Sequence, residues 1–277
     1  MGVSQSTVQA ALAAAQALGL ARLDAQLLLL HCLGKPDTDR AWLLAHDGDA
    51  VADGVAQTFR RLVQRRAAGE PLAYIVGYKE FFGLRFGVDS AVLIPRPDTE
   101  TLVQWALDLL ARLGSPRVLD LGTGSGAVAV SLARQLKTTV DACDVSEKAL
   151  DVATQNARLL GVDVQFLVSD WFSNVSGHYH LIASNPPYVA DGDPHLAALA
   201  YEPLNALTAG HDGLNDIRKI VQGAPGYLHP GGWLLLEHGY DQAGEVRELL
   251  AHRGFAQVQS RIDLAGIARC SGGQWPV

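Results

Sequence analysis

The chain has little cysteine: Cys32, Cys143 and Cys270 stand far apart, with no C-x-x-C pair. An odd, scattered set excludes a disulfide framework and argues against a zinc site. No apolar run approaches the ~18 residues of a membrane span. Met1 to Gln9 lack the basic-then-apolar order of a secretory leader. No membrane association is expected, and the cytoplasm is the expected compartment. A basic excess is missing as well. Lys and Arg number 22 against 29 Asp and Glu, a net charge of −7. The two signs balance over residues 1–80, so the acidic surplus falls in the remainder. Duplex nucleic acid is bound through clustered cations that neutralise phosphates, so no direct nucleic-acid partner is expected. The one basic cluster, Arg60-Arg61 with Arg65-Arg66, reads as the solvated face of a helix or as a contact for an acidic partner. The nine histidines form neither a Ser-His-Asp pattern nor a metal-ligand spacing, and no metal is expected.

What is present suffices for packed cores: 277 residues, 48% of them apolar. Residues 1–78 are rich in Ala, Leu and Gln with helical periodicity. Helices are predicted near 4–18, 22–33, 38–45 and 54–68, punctuated by Gly19, Gly34-Lys35-Pro36 and Gly69-Glu70-Pro71. This is a small helical bundle. Residues 79–96 read as a linking β-hairpin, its strands at 81–86 and 90–93 joined by Gly87-Val88-Asp89. Residues 97–277 form an α/β domain. Its first helix is predicted over 98–113, with Asp98 as cap and Glu100 in the first turn. Strands are predicted near 117–121, 139–144, 164–168, 181–184, 232–237, 255–260 and 266–270, most separated by helices. That alternation means a mostly parallel sheet covered on both faces.

Two motifs carry the chemistry. Gly122-Thr123-Gly124-Ser125-Gly126 joins a predicted strand to a predicted helix, a turn in which glycines let backbone approach a ligand closely. Asp144 ends the next strand 18 residues beyond Gly126, near the spacing of a ribose-binding acid. Together they fit a nucleoside cofactor on a doubly wound sheet. Asp120 precedes the first glycine. A carboxylate there repels a pyrophosphate and attracts an ammonium, which favours S-adenosylmethionine over NAD. The second motif, Asn185-Pro186-Pro187-Tyr188, follows another predicted strand. Consecutive prolines cannot extend a sheet or open a regular helix, so the backbone there is stiff and its carbonyls lack ladder partners. Asn185 Oδ1 and the Pro186 carbonyl then form paired acceptors suited to a planar NH₂ group, with Tyr188 as a ring to pack against it. Trp171, after the third strand, is a candidate to bracket the adenine.

Residues 93–100 (Leu-Ile-Pro-Arg-Pro-Asp-Thr-Glu), the glycine segment 118–126 and Asn185–Tyr188 together resemble the peptide chain release factor N5-glutamine methyltransferase family. Residues 78–83 and 236–239 also fit, so the likeness spans nearly the whole chain. The Asn-Pro-Pro-Tyr tetrad alone is shared with adenine-N6 methyltransferases; residues 94–100 are more specific to the glutamine enzymes. The resemblance implies a class I S-adenosylmethionine methyltransferase with a Rossmann-like, mostly parallel seven-stranded sheet behind a small N-terminal helical bundle that recognises substrate. It implies methyl transfer to the glutamine of a Gly-Gly-Gln loop in class 1 release factors, with S-adenosylhomocysteine as product, by a chain expected to be a monomer. It also implies Asn185, Pro186 and Tyr188 as catalytic, Asn185 to Tyr188 as substrate-binding, and Gly122 to Gly126, Asp144, Trp171 and Asn185 around the cofactor.

Two other classes of function are open to the same motifs. An adenine-N6 nucleic acid methyltransferase would present a flipped base to the same acceptors, and a catalytically silent cofactor-binding protein would need neither. Arg96 and Glu100 are candidates for the methionyl end, for ordering the glycine loop, or for a salt bridge joining domains. Glu237 and His238 are placed at a strand end, in a structural or a catalytic role. The chain also carries its own Gly272-Gly273-Gln274, read as chain-end punctuation, with self-methylation or autoinhibition as the alternative.

Overall fold

A computed structural model describes residues 6–277. The chain divides into two compact units, the first ending at Gly77 and the second beginning at Tyr78. The first contains helices α1 (Val8–Ala17), α2 (Arg22–Cys32), α3 (Arg40–Ala45), α4 (Asp53–Ala67) and α5 (Leu72–Val76). The predicted start of the first helix at Ser4 lies outside the described residues. α1 begins instead where the Thr7 hydroxyl accepts from Ala10 N at 3.2 Å. Leu28, Leu29, Leu30, Phe59, Val63 and Ile75 are buried together in its core. The one-turn helix α5 is not legible in the sequence, because Pro71 ahead of it reads as punctuation. Half of the basic cluster is engaged inside this unit. Arg66 pairs with Asp24 at 2.7 Å, and Arg65 pairs with Glu70.

The second unit opens with a hairpin, β1 (Tyr78–Phe81) and β2 (Leu84–Gly87). This corrects the expected hairpin of 81–86 and 90–93. Phe82 and Gly83 both take positive φ, 51° and 70°, and make the two-residue turn. Phe82 N donates to Glu100 Oε1 at 2.8 Å, which holds a bulky residue in that conformation. Buried Phe81 and Phe86 anchor both strands to the core of this unit. Residues 90–93 form no strand.

There follow α6 (Glu100–Leu110), β3 (Val118–Leu121), α7 (Ala127–Leu136), β4 (Val140–Asp144), α8 (Glu147–Leu160), β5 (Val164–Val168), β6 (Tyr179–Ser184), α9 (Asn215–Gly223), β7 (Leu228–Glu237), α10 (Ala243–Arg253), β8 (Ala256–Ile262) and β9 (Ala268–Gln274). Asp98 does not cap α6. A 3-10 turn, Pro97–Thr99, leads into the helix, and the Asp98 carboxylate lies 3.3 Å from Arg269.

The seven-stranded sheet runs β5-β4-β3-β6-β7-β9-β8, with only β9 antiparallel to its neighbours. Alternate residues of β6 and β7 enter opposite cores. Leu181 and Leu235 join α6 and α7 on one face, while Ile182 and Leu234 join α9 and α10 on the other. Burial on both faces is why these strands read as unbroken apolar runs. Strand order reverses where β6 returns to the far side of β3. Such reversals open a crevice at the carboxyl ends of the strands.

β9 runs further than the sequence suggests and takes in Gly272-Gly273-Gln274. This corrects the reading of the segment as punctuation. Gly272 pairs with Leu235 and Gln259, and a β-carbon on it would fall 2.5 Å from Leu235 Cδ2 and 2.6 Å from the Leu234 carbonyl. Gln274 Nε2 donates to Gly231 O at 2.9 Å, and its Oε1 accepts from Gln257 at 2.6 Å. Both ends of that amide are engaged in the sheet, which leaves no free glutamine for self-methylation in this structure. Gly272→Ala should therefore destabilise the protein by about 1–3 kcal/mol, the scale of overpacking a core. An unchanged urea midpoint would show that the sheet absorbs the methyl group.

Candidate active site

The crevice holds a cavity of about 230 Å³, against the roughly 10–15 Å³ that one water needs. Its wall includes Gly122, Thr123, Gly124 and Ser125 after β3, Asp144 after β4, and Trp171 after β5. Asn185 and Pro187 after β6 face the same space. The register that does this is short. Leu121 pairs with Ser184, so the next residues, Gly122 and Asn185, leave adjacent strand ends side by side. Ser184 Oγ donates to the Leu121 carbonyl at 2.7 Å and ties the two ends together.

The glycine loop is pinned from below and from the side. Asp120, 1% exposed, accepts at Oδ2 from Thr123 Oγ1 at 2.7 Å and from Ala129 N at 3.1 Å. Burial pushes its carboxyl up to about 7. Asp144 accepts from Gly124 N and Ser146 N, each at 2.9 Å. Both strand-end acids thus shape the loop, and both line the cavity. Gly122 takes φ +69°, and a β-carbon there would sit 3.3 Å from the Trp171 ring. A side chain there would have to displace the indole slightly and adopt a φ that favours glycine. Trp171 Nε1 donates to Asp216 Oδ1 at 3.2 Å, which fixes the ring plane. A slot of backbone, aromatic ring and carboxylates fits a nucleoside cofactor. Gly126 is not on the cavity wall; its α-carbon caps α7 against Ala153.

The proline corner is divided. Asn185 Nδ2 donates to Thr99 Oγ1 at 3.3 Å, which leaves Oδ1 as the free end of the amide. Pro186 and Tyr188 are not on the cavity wall. The Tyr188 ring packs against the core, its hydroxyl donates to Glu237 Oε1 at 3.3 Å, and its carbonyl accepts from Gln242 Nε2 at 3.0 Å. Arg96 pairs with Glu202, whose other oxygen accepts from Ile94 N at 3.1 Å. Glu100 braces the hairpin. His238 is buried between Ser271 Oγ at 2.8 Å and the Gly239 carbonyl at 2.9 Å, a structural position. Sequence reasoning missed Glu202, Asp216 and Lys219. They lie between β6 and α9 and within α9, with no local pattern that marks them. Thr99 was inside a recognised segment but had no role assigned.

The strand order, the glycine slot and the acceptor corner on one crevice define a class I S-adenosylmethionine-dependent methyltransferase. A solved methyltransferase from Pyrococcus furiosus has the same fold, with a TM-score of 0.53 at 18% identity over 80% of this chain and all of that one. Residues 6–77 match the family model described as PrmC N-terminal domain, and residues 99–202 match the one described as methyltransferase small domain. The release factor glutamine methyltransferase of Bordetella pertussis is 51% identical over 92% of this chain and 95% of its own length. That of Burkholderia pseudomallei is 49% identical over 92% of each. The chain belongs to the release factor glutamine methyltransferase family.

The Asp120 carboxyl gives a stability test. Its folded pKa lies above the unfolded value of about 3.9, so the folded state holds the extra proton between those values. The cost of burying the charge is absent below about pH 4, grows as pH rises, and is complete above about 7. Cofactor-free protein should lose stability across that window, and Asp120→Asn should reduce the loss. Equal falls in urea midpoint from pH 5 to 7.5 for variant and parent would contradict this assignment.

Proposed function

We propose that this chain methylates the side-chain amide nitrogen (N5) of the glutamine in the Gly-Gly-Gln loop of class 1 translation release factors. The observation that carries the reading is the placement of Asn185 and the glycine loop on one cavity by the β3–β6 pairing. S-adenosylmethionine supplies an activated methyl group on a sulfonium, so the bond-breaking chemistry belongs to the cofactor.

The protein's task is the nucleophile. An amide nitrogen shares its lone pair with the carbonyl and is a weak nucleophile. Asn185 Oδ1, on the cavity wall, accepts an N–H bond from it, holds the nitrogen in one orientation and draws electron density toward it; as the C–N bond forms and the S–C bond breaks, one N–H proton is lost to solvent. Orientation of a reacting pair contributes several kcal/mol to a barrier, and fixed dipoles add to it. Pro187 stiffens the corner. Tyr188, its ring against the core and its hydroxyl on Glu237, braces the corner from behind. Gly122 to Ser125, Asp144 and Trp171 enclose the cofactor, from which S-adenosylhomocysteine is left. Two glycines ahead of the target let a bare, bent backbone reach into a narrow crevice.

The helical unit of residues 6–77 reads the remainder of the release factor. The chain acts as a monomer in the cytoplasm; no helix among the described residues is long and apolar enough to cross a membrane. The net charge of −7 supports a protein substrate over a nucleic acid.

Mass spectrometry of a release factor after reaction should find one added methylene on the Gly-Gly-Gln peptide, and DNA assayed in parallel should stay unlabelled. Label on DNA alone would overturn the reading. Asn185→Ala should lower kcat by about 10²-fold, the scale of losing one preorganised polar group, with cofactor Kd changed less than about twofold.

A further inference from the structure

Glu237 ends β7, is 1% exposed, and belongs to neither motif. Its Oε1 accepts the Tyr188 hydroxyl at 3.3 Å, while Oε2 is buried with no hydrogen-bond partner. An unpartnered buried carboxylate oxygen is costly. The Thr99 hydroxyl stands beside this carboxylate and favours its ionised form. Thr99, 4% exposed, also reaches the cavity wall and accepts from Asn185 Nδ2 at 3.3 Å. One carboxylate therefore lies behind both ends of the Asn-Pro-Pro-Tyr corner: it is hydrogen-bonded to Tyr188, and its free oxygen is available to the Thr99 hydroxyl that Asn185 meets.

Hydrogen-bond polarity then sets the clamp. An ionised carboxylate only accepts, and a hydroxyl has one proton to give. If that proton turns to Glu237, Thr99 Oγ1 can only accept from Asn185. The amide must present its NH₂ to Thr99 and its Oδ1 to the cavity. Turned the other way, Asn185 would offer a donor to the donors of an incoming amide.

We propose that Glu237 and Thr99 are positioning residues: Glu237, through the Thr99 hydroxyl, fixes which way round the Asn185 carboxamide stands. The inference rests on the reading of Asn185 as the acceptor for a glutamine NH₂. The groups facing Glu237 are Asp98 and Arg269, of opposite sign, Tyr188 on its oxygen, and Cys270 opposite it on β9. Its chain neighbour His238 is turned to Ser271 and Gly239. Burial, the largest influence, pushes the Glu237 carboxyl up to about 7. Once protonated, Glu237 can donate to Thr99 and release the Thr99 proton toward Asn185 Oδ1. Activity should therefore fall as pH drops through that value.

The test is steady-state kinetics with an intact release factor, alongside S-adenosylhomocysteine binding. Thr99→Val keeps the shape and removes the hydroxyl; it should lower kcat by about tenfold or more, the effect of a misdirected buried hydrogen bond. Its S-adenosylhomocysteine Kd should stay within about twofold. Thr99→Ser should recover most of kcat. Glu237→Gln should remove the acid limb of the kcat profile near pH 7. Parental kcat in Thr99→Val, or Thr99→Ser as impaired as Thr99→Val, would overturn the proposal, as would an acid limb that persists in Glu237→Gln. Asn185→Ala, measured beside them, separates the two readings. If it is inactive while Thr99→Val is normal, only this inference fails; if it is itself fully active, the clamp fails.

Discussion

The site depends on the parallel pairing of β3 with β6. Every other feature of the crevice is a consequence of two strand ends leaving the sheet next to each other. One end turns into glycines that line the cavity; the other runs into prolines and stays rigid. The hydrogen bond from Ser184 to the Leu121 carbonyl locks their heights. A slip of one residue would turn every side chain of β6 to the opposite core. Because Ile182 and Leu181 are fully buried on opposite faces, that slip would disrupt both cores at once. The hydrophobic layers thereby guarantee the geometry of the polar site.

Buried acids do most of the shaping inside that frame. Asp120 organises the glycine loop, Glu202, between β6 and α9, holds Ile94 and Arg96 of the segment before α6, and Glu237 holds Tyr188. Each is under a tenth exposed. Burying a carboxylate is unfavourable unless it is well partnered. At Glu202 an arginine and a backbone N–H partner the carboxylate and a loop is fixed; at Asp120 the Thr123 hydroxyl and Ala129 N fix the glycine loop, but burial still raises its pKa. At Glu237 one oxygen has no partner, and the raised pKa there reflects a charge that the fold does not fully compensate. Perturbed carboxylates gather at functional sites for this reason.

The Gly-Gly-Gln near the C-terminus shows how one short motif can serve unrelated ends. In a substrate loop, its glycines give flexibility. In β9 of this chain they allow close packing, because Leu234, Leu235 and Trp105 occupy the volume a side chain would need. The same three letters carry opposite mechanical meaning, and only the sheet around them tells which applies. The hairpin is similar. Phe81 to Phe86 looks like one strand because its residues are aromatic and apolar, yet Phe82 turns the chain, held there by Glu100. A carboxylate 18 residues on, at the start of α6, outweighs the local preference of the residue.

The sequence alone determined the helical first unit, the alternating strands and helices of the second, and both motifs with their chemistry. Those features rest on local physics: periodicity of apolar residues, the missing N–H of proline, the missing side chain of glycine. It also carried the family, since residues 94–100 and the tetrad occur in order along the chain. Only the tertiary structure decided that Tyr188 turns toward Glu237, that Asp98 answers Arg269 and does not cap α6, that Glu202 holds Arg96, that Asp216 holds Trp171, and that the Asn185 amide nitrogen meets Thr99. These contacts link residues 45 to 171 positions apart. No pattern in a linear chain encodes which distant partner a polar group will meet, because that choice is made by the packing of the sheet.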